Sequence, residues 1–104
     1  MADAVDVTAM RKAAAEATGL LRTLANEDRL LLLCQLSEGE FSVGELQERL
    51  DIRQPTLSQQ LGVLRDQDLV KTRREGKQIY YEISDARALG VLKVLYRLYC
   101  GGGK

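Results

Sequence analysis

Cys34 and Cys100 are the only cysteines of this 104-residue chain, which contains no histidine. A thiolate can attack an electrophilic sulfur atom, and a second thiol can then resolve the product into a bridge. The two cysteines lie 66 positions apart (100 − 34), so a bridge between them requires a tertiary contact. Redox chemistry between two thiols is therefore one activity that the sequence could support.

Two other interpretations of the cysteines stay open. Cys34 follows a run of leucines, Leu30 to Leu33, and a buried cysteine acts more often as a small hydrophobe than as a sensor. Apolar burial also raises the pKa of a thiol, which lowers its reactivity. Metal binding is the second interpretation, but two thiolates do not complete the four-coordinate site that a thiophilic metal usually takes. We expect no metal site and no cofactor.

The stretch after Arg53 predicts a helix with one apolar and one polar side. The helix starts at Pro55, since proline is tolerated in a first turn, and ends near Gln67. Its inward side consists of leucines at helical spacing, namely Leu57, Leu61 and Leu64. Hydroxyl and amide side chains, as found on the other side, can bond DNA bases or phosphates. The candidate DNA contacts are therefore Gln54, Thr56, Ser58, Gln59 and Gln60.

Gln60 and Gly62 differ from the other residues of this helix. Gln60 lies nearer to the edge of the core than the other candidates. Gly62 lies on the polar side, although glycine costs a helix about 1 kcal/mol relative to alanine. Either Gly62 permits a close approach to DNA, or it only relieves packing within the chain.

A basic hairpin is predicted after this helix. Its strands run from Leu69 to Arg74 and from Gln78 to Ile83, and Gly76 supplies the turn. The candidate phosphate or minor-groove contacts near its tip are Arg73, Arg74 and Lys77. A solvated charged hairpin is the alternative. Because the hairpin directly follows two helices joined by a tight turn, the DNA-binding interpretation is favoured.

Three further helices are predicted before the helix that starts at Pro55. Residues 8–25 are rich in alanine and leucine, the best helix formers. Asn26 can cap a second helix, and Gly39 ends it. This helix is apolar on nearly all sides, so we expect it at the centre of the core. Ser42 and Glu45 form a capping-box pattern that starts the third helix.

A last helix is predicted from a cap at Ser84 to Cys100. It carries an apolar stripe wider than a small domain needs for itself, formed by Leu89, Leu92, Leu95, Tyr96 and Tyr99. We expect residues 1–7 to be disordered, residues 8–100 to form one domain, and residues 101–104 to form a flexible tail.

Composition limits the classes of function. The net charge is zero, with 15 basic and 15 acidic residues, which disfavours a general polyanion binder. The basic residues nevertheless concentrate between Lys71 and Lys77. The N-terminus lacks the pattern of a signal peptide, and the longest apolar run, Leu30 to Cys34, is too short to span a membrane. We expect a cytoplasmic protein with no membrane partner.

At these residues the chain resembles the ArsR-type winged-helix repressors. The motifs that carry the resemblance are LLRTLANEDRLLLLCQL, FSVGELQERL, QPTLSQQLGVLRDQDLV and REGKQIYYEI. The resemblance implies a mainly α fold with a β-hairpin wing, that is, a winged helix-turn-helix with four helices, two strands and a fifth helix. It also implies a homodimer through the first and last helices, bound to an inverted-repeat operator in double-stranded DNA. Many members have histidine at the position of Gln60, so this chain departs there.

One cysteine on the second helix and one at the end of the last resemble the sulfide- and persulfide-responsive branch of that family, the BigR, SqrR and HlyU type. The resemblance implies that Cys34 and Cys100 react with sulfane-sulfur donors or oxidants to form a disulfide or a longer polysulfide bridge. Bridging then releases the DNA.

The sequence therefore predicts a dimeric repressor that senses reactive sulfur species through Cys34 and Cys100. One alternative is a regulator of the same family that responds to peroxide or to a metal. Another is a winged-helix module that binds protein rather than DNA, which the zero net charge supports. We expect no enzyme, because the chain has no histidine base, no Cys-x-x-Cys motif and no glycine-rich phosphate loop after a strand.

Overall fold

The computed structural model describes residues 6–101, which fold into helices around a small antiparallel sheet. The elements are α1 (Val7–Leu24), α2 (Glu27–Leu36), β1 (Phe41–Ser42), α3 (Val43–Leu50), α4 (Thr56–Asp66), β2 (Val70–Glu75), β3 (Gln78–Ile83) and α5 (Ala86–Tyr99). This order confirms the mainly α winged helix-turn-helix that the sequence predicts.

The structure describes only a small part of the two chain ends that were predicted to be disordered or flexible. Residues 1–5 and 102–104 lie outside the described part, so most of the expected disordered N-terminus and flexible tail is not covered. Asp6 caps α1 by accepting the backbone N–H of Thr8 at 2.7 Å, and Val7 is the first residue of the helix. The helix therefore begins one residue before the predicted start at Thr8.

Local caps start the next helices as the sequence predicts. The Asn26 side chain accepts the backbone N–H of Arg29 at 3.0 Å and caps α2. At α3, the Ser42 hydroxyl accepts the N–H of Glu45 at 3.2 Å, while the Glu45 carboxylate accepts the N–H of Ser42 at 2.8 Å. This reciprocal capping box satisfies two backbone donors that a helix start leaves free.

The predicted cap of the last helix is wrong by one residue. Asp85, not Ser84, caps α5, and its carboxylate accepts the N–H groups of Arg87 at 2.8 Å and Ala88 at 3.0 Å. A carboxylate is favoured here because the helix N-terminus is positive. The N–H of Ala88 makes the largest contribution to lowering the pKa of Asp85 below its ordinary value.

Two other boundaries differ from the predictions. Pro55 stands at the N-cap position of α4 and not in its first turn, and it offers no capping side chain. The α2 helix ends at Leu36, before Gly39. Gly39 lies in the following turn with a φ of +150°, a backbone conformation that side chains disfavour.

The core is built from leucines contributed by several helices. Leu32 and Leu33 of α2 are completely buried, and Leu31 on the outer side of that helix is 40% exposed. Their main partners are Leu46, Leu57, Leu61, Leu64 and Leu92, each at most 2% exposed. Full burial of one such side chain contributes roughly 1.5–3 kcal/mol, so this cluster fixes α3 and α4 against α2.

The sheet has the strand order β1-β3-β2, and all neighbours are antiparallel. Glu75 pairs with Gln78, which leaves Gly76 and Lys77 as the turn, and Gly76 has a φ of +64°. The predicted hairpin is confirmed, with β2 displaced by one residue. The two-residue β1 strand, which pairs Phe41 with Tyr81, was not predicted.

The outer helices leave a set of apolar side chains uncovered in the single chain. We call this set the apolar flank; its members are Val7, Met10 and Leu21 of α1 and Val94, Tyr96, Leu98 and Tyr99 of α5. Tyr99 is 82% exposed and Leu98 is 69% exposed. Within residues 6–101, no helix combines the length and the apolar character that crossing a membrane requires.

Candidate DNA interface and thiol pair

The start of α4 is held by a side chain that lies outside the helix. The Gln54 side-chain oxygen accepts the backbone N–H of Ser58 at 3.0 Å and the Ser58 hydroxyl at 2.7 Å. Gln54 therefore replaces the cap that Pro55 cannot supply. Its NH₂ group can still donate outward, so capping the helix and contacting a phosphate are compatible roles for this residue.

The two-sided character of α4 is confirmed. Leu57, Leu61 and Leu64 are buried with at most 1% exposure. Ser58 and Gln59 are exposed on the other side, and Thr56 is half-buried at its edge. The structure thus brings Gln54, Thr56, Ser58 and Gln59 together at one end of an outward helix surface.

Gly62 belongs to the same helix, and packing within the chain does not require it. A Cβ atom added at this position meets no other atom within 4 Å. The space in front of Gly62 is therefore open to a ligand that approaches the helix closely.

Gln60 is arranged differently from Gln59. It is half-buried, and its side-chain oxygen accepts a 2.9 Å hydrogen bond from Nη1 of Arg29 on α2. The structure therefore separates Gln60 from the exposed candidates. The position of Gln60 near the core edge was visible from helical spacing, but its partner lies 31 residues away in sequence.

Arg73 is also occupied within the chain. Its Nε and Nη2 donate to the two carboxylate oxygens of Glu40 at 2.7 and 2.9 Å, and its Nη1 donates to Glu75 at 2.6 Å. The guanidinium also lies 4.6 Å from the centre of the Tyr80 ring. The Arg73 hydrogen bonds lower the pKa of Glu40, and the two carboxylates raise the pKa of Arg73.

The other two basic candidates of the wing are free of such contacts. Arg74 and Lys77 are exposed, and neither forms an ion pair with any residue in the described part of the chain. Arg74 also points to the opposite face of β2 from Arg73, since side chains alternate along a strand. Arg74 and Lys77 are therefore accessible from outside the chain, whereas Arg73 ties β2 to Glu40 in the segment before β1.

Cys34 and Cys100 are both free thiols. Cys34 is half-buried on α2, and Cys100 is exposed at the C-cap of α5, where its N–H donates to the carbonyl of Tyr96 at 2.8 Å. Burial raises the pKa of the Cys34 thiol, and the nearby Cys100 thiol raises this pKa further. Cys34 and Cys100 thus belong to two helices, α2 and α5, that pack against each other.

The backbone after Cys100 is folded against α5. The N–H of Gly101 donates to the carbonyl of Tyr96 at 2.8 Å, and a Cβ atom at Gly101 would lie 2.9 Å from the Tyr96 ring. A glycine therefore permits this close approach. Among residues 6–101, no group of three or more histidine, cysteine, aspartate or glutamate side chains is arranged to hold a metal ion.

Comparison with known proteins places this geometry in a family. Residues 26–72 match the model for bacterial regulatory proteins of the arsR family. The chain is 54% identical to the biofilm growth-associated repressor of Agrobacterium fabrum over 92% of this chain and 82% of that protein. It is 45% identical to the transcriptional activator HlyU of Vibrio cholerae, over 88% of this chain and 84% of HlyU.

Solved structures agree with these sequence matches. The crystal structure of the transcriptional repressor BigR from Xylella fastidiosa superposes with a TM-score of 0.85 at 50% identity, covering 92% of this chain and 98% of BigR. The reduced form of HlyU from Vibrio cholerae superposes with a TM-score of 0.84 at 45% identity, covering 88% of this chain and 96% of HlyU.

Proposed function

The chain belongs to the arsR family of bacterial regulatory proteins, and we propose that it is a dimeric transcriptional repressor whose binding to operator DNA is controlled by Cys34 and Cys100. The observation that carries this proposal is the placement of the two free thiols, one on α2 and one at the C-cap of α5, two helices that pack against each other. The similarity to the biofilm growth-associated repressor and to BigR supports repression in particular.

The DNA-reading part of the proposal uses α4 and the wing. The exposed side chains of Ser58 and Gln59 enter the major groove, and Gln54 donates to a phosphate. Arg74 and Lys77 neutralise further phosphates. Thr56, at the edge of this surface, contacts either a base or a phosphate.

The apolar flank supports a homodimer. Side chains as exposed as Leu98 and Tyr99 are costly on a monomer and are typical of surfaces that a partner covers. A second copy related by a two-fold axis buries the flank of both chains. The α4 helix of each chain, its recognition helix, then faces one of two half-sites, so the operator is an inverted repeat.

The sensing reaction consumes a sulfane-sulfur donor such as glutathione persulfide. Cys100 is exposed and meets the donor first: its thiolate bonds to the sulfane sulfur, and glutathione thiolate leaves. The Cys34 thiolate then attacks the Cys100 sulfur of this persulfide and expels HS⁻. The dithiol is oxidised to a disulfide, and the sulfane sulfur is reduced to sulfide.

A longer bridge forms if both cysteines first become persulfides. The terminal sulfur of one persulfide then attacks the cysteine sulfur of the other and again expels HS⁻, which leaves a trisulfide. Either bridge ties the end of α5 to α2. Because α5 carries part of the apolar flank, this link changes the dimer geometry and the spacing of the two recognition helices, which lowers the affinity for DNA.

The test needs a defined DNA probe. A duplex of about 30 base pairs accommodates two half-sites one helical turn apart. Such a duplex is selected by the reduced wild-type protein from a random-sequence library and is here called the selected duplex; the same bases in shuffled order form the scrambled duplex. If selection enriches no sequence and binding shows no salt dependence, a module that binds protein rather than DNA becomes the better account.

Release from the selected duplex is then measured by fluorescence anisotropy before and after treatment with glutathione persulfide. We expect the wild-type protein to dissociate and the Cys34→Ser and Cys100→Ser proteins to stay bound. Single variants that dissociate like the wild type contradict the proposed sensor. Intact mass distinguishes the inducers: an added sulfur atom between the cysteines supports a persulfide, whereas a bare disulfide formed only with hydrogen peroxide supports a peroxide sensor.

A further inference from the structure

One arginine joins three helices beside the middle of α4, the recognition helix. Arg29, in the first turn of α2, donates from Nε to the carbonyl of Thr23 at 2.7 Å and from Nη2 to the carbonyl of Arg22 at 3.4 Å. Its Nη1 donates to the side-chain oxygen of Gln60 on α4 at 2.9 Å. The guanidinium therefore links the end of α1, the start of α2 and the middle of α4.

The first two bonds fix the plane of the guanidinium. Thr23 and Arg22 lie in the last turn of α1, where carbonyls can accept donors from outside the helix and a positive charge is favoured. Since a guanidinium is planar and its donors have fixed directions, anchoring one edge on these carbonyls aims the remaining donor. Among the described residues, Nη1 bonds to the side chain of Gln60 and to no other side chain.

Gln60 is the only one of the α4 candidates whose side chain is bonded to another helix of the described chain. Gln59, its neighbour, is exposed, whereas the oxygen of Gln60 is already used as an acceptor. An amide that reads adenine needs both its oxygen and its NH₂ group. With its oxygen held toward Arg29 on α2, Gln60 is not arranged for this two-point contact.

We propose that Arg29 is a positioning residue for DNA recognition, which acts through Gln60 to set the angle between the recognition helix and α1. The inference rests on the proposed DNA binding. Because α1 carries part of the apolar flank, the angle also fixes how α4 is presented relative to the partner chain. Arg29 itself contacts no DNA.

A double-mutant cycle tests the link. Arg29→Lys keeps the charge but cannot bond α1 and Gln60 together, and Gln60→Met keeps the volume without the acceptor. We expect each single variant to weaken binding of the reduced protein to the selected duplex about tenfold, and the double variant to be no weaker, as coupled residues behave. In the matched control, the losses of binding free energy caused by Gln59→Met and by Arg29→Lys add up in the double variant.

Two further readouts separate positioning from a direct contact and from general destabilisation. The slope of log affinity against log salt stays unchanged in Arg29→Gln, which removes the charge, whereas loss of a phosphate contact would lower it by about 0.9. The selected duplex loses more affinity than the scrambled duplex, because base contacts depend on the helix angle more than phosphate contacts do. A uniform loss on both duplexes contradicts the proposal.

Gln60→Glu keeps the test decisive if Gln60→Met fails to fold. A carboxylate retains the bond to Arg29, so this variant binds the selected duplex more tightly than Gln60→Ala. If Gln60 faced DNA, the new negative charge would make Gln60→Glu the weaker of the two, and the proposal fails. Failure of the wild-type protein to select any duplex overturns the DNA-binding function instead, so the two failures are distinguishable.

Discussion

The reading half of the molecule, made of α3, α4 and the wing, is complete within one chain, whereas the apolar flank on α1 and α5 is not. In the reading half the leucines are buried, and helix starts are capped by Ser42 and Gln54. On the flank, Leu98 and Tyr99 remain mostly exposed. The apolar side chains of the first region are covered by their own chain, whereas those of the second are left uncovered in the single chain.

Helical spacing alone does not reveal this difference. Leu57, Leu61 and Leu64 of α4 and the apolar stripe of α5 both recur at helical intervals. Only the fold shows that α4 is covered on its apolar side, while α5 is covered at Ala88 and Leu92 but left bare toward its end. An apolar periodicity therefore predicts that a face will be buried, not whether the same chain buries it.

The largest expected effect comes from placing a charge on the flank. We expect Leu98→Asp to produce a folded monomer that binds the selected duplex about 100-fold or more weakly, because two linked half-site contacts become one. Light scattering gives the mass, and anisotropy gives the affinity. Leu98→Met is the matched control and should remain a dimer. A tight-binding Leu98→Asp monomer would remove the distinction between the two regions.

A smaller effect is expected within the reading half. Gln59→Ala should weaken binding to the selected duplex about tenfold, as expected when a side chain loses its hydrogen bonds to a base. Binding to the scrambled duplex should change little, because phosphate contacts remain. Gln67→Ala, at the other end of α4, removes the same group from an exposed position and should leave both affinities unchanged. Equal losses on the two duplexes would assign Gln59 to the phosphates.

The wing permits a sharper comparison between neighbouring arginines. Arg74→Gln should lower the salt slope of binding by about 0.9, because one phosphate contact is lost. Arg73→Gln should leave the slope unchanged, since Arg73 is held by Glu40 and Glu75. The slope is measured by titrating the selected duplex at several salt concentrations. A reduced slope in Arg73→Gln would mean that its internal ion pairs open on DNA.

The smallest effect is expected at Gly62. Gly62→Ala should raise the free energy of unfolding by about 1 kcal/mol, since alanine favours a helix and its Cβ meets no atom of the chain. It should at the same time weaken DNA binding, because the Cβ occupies the approach path. Gly90→Ala in α5 should give a similar gain in urea unfolding without the loss of affinity. An unchanged affinity in Gly62→Ala would leave this glycine without a role at DNA.

What could be predicted from the sequence was mostly local. The helix order, the capping box of Ser42 and Glu45 and the turn at Gly76 depend on residues a few positions apart, and all three are confirmed. The cap of α5 was misassigned because Ser84 and Asp85 are both good capping residues in adjacent positions.

What could not be predicted depends on long-range contacts. The bond from Arg29 to Gln60 spans 31 residues, and the ion pair of Arg73 with Glu40 spans 33 residues. No periodicity connects such positions, so the sequence placed Gln60 and Arg73 among the DNA contacts by residue type and local position alone. The placement of Cys34 and Cys100 on two packed helices has the same origin, since it arises only when α5 folds back onto α2.

The central claim is that a bridge between Cys34 and Cys100 controls DNA binding, and a paired titration tests it most directly. Samples of the protein on the selected duplex receive increasing glutathione persulfide. Each sample is divided for anisotropy, which gives the fraction of DNA released, and for intact mass with peptide mapping, which gives the fraction of chains bridged. We expect the two fractions to rise together. Release from chains whose two cysteines are unmodified, or tight binding by fully bridged chains, would contradict the account.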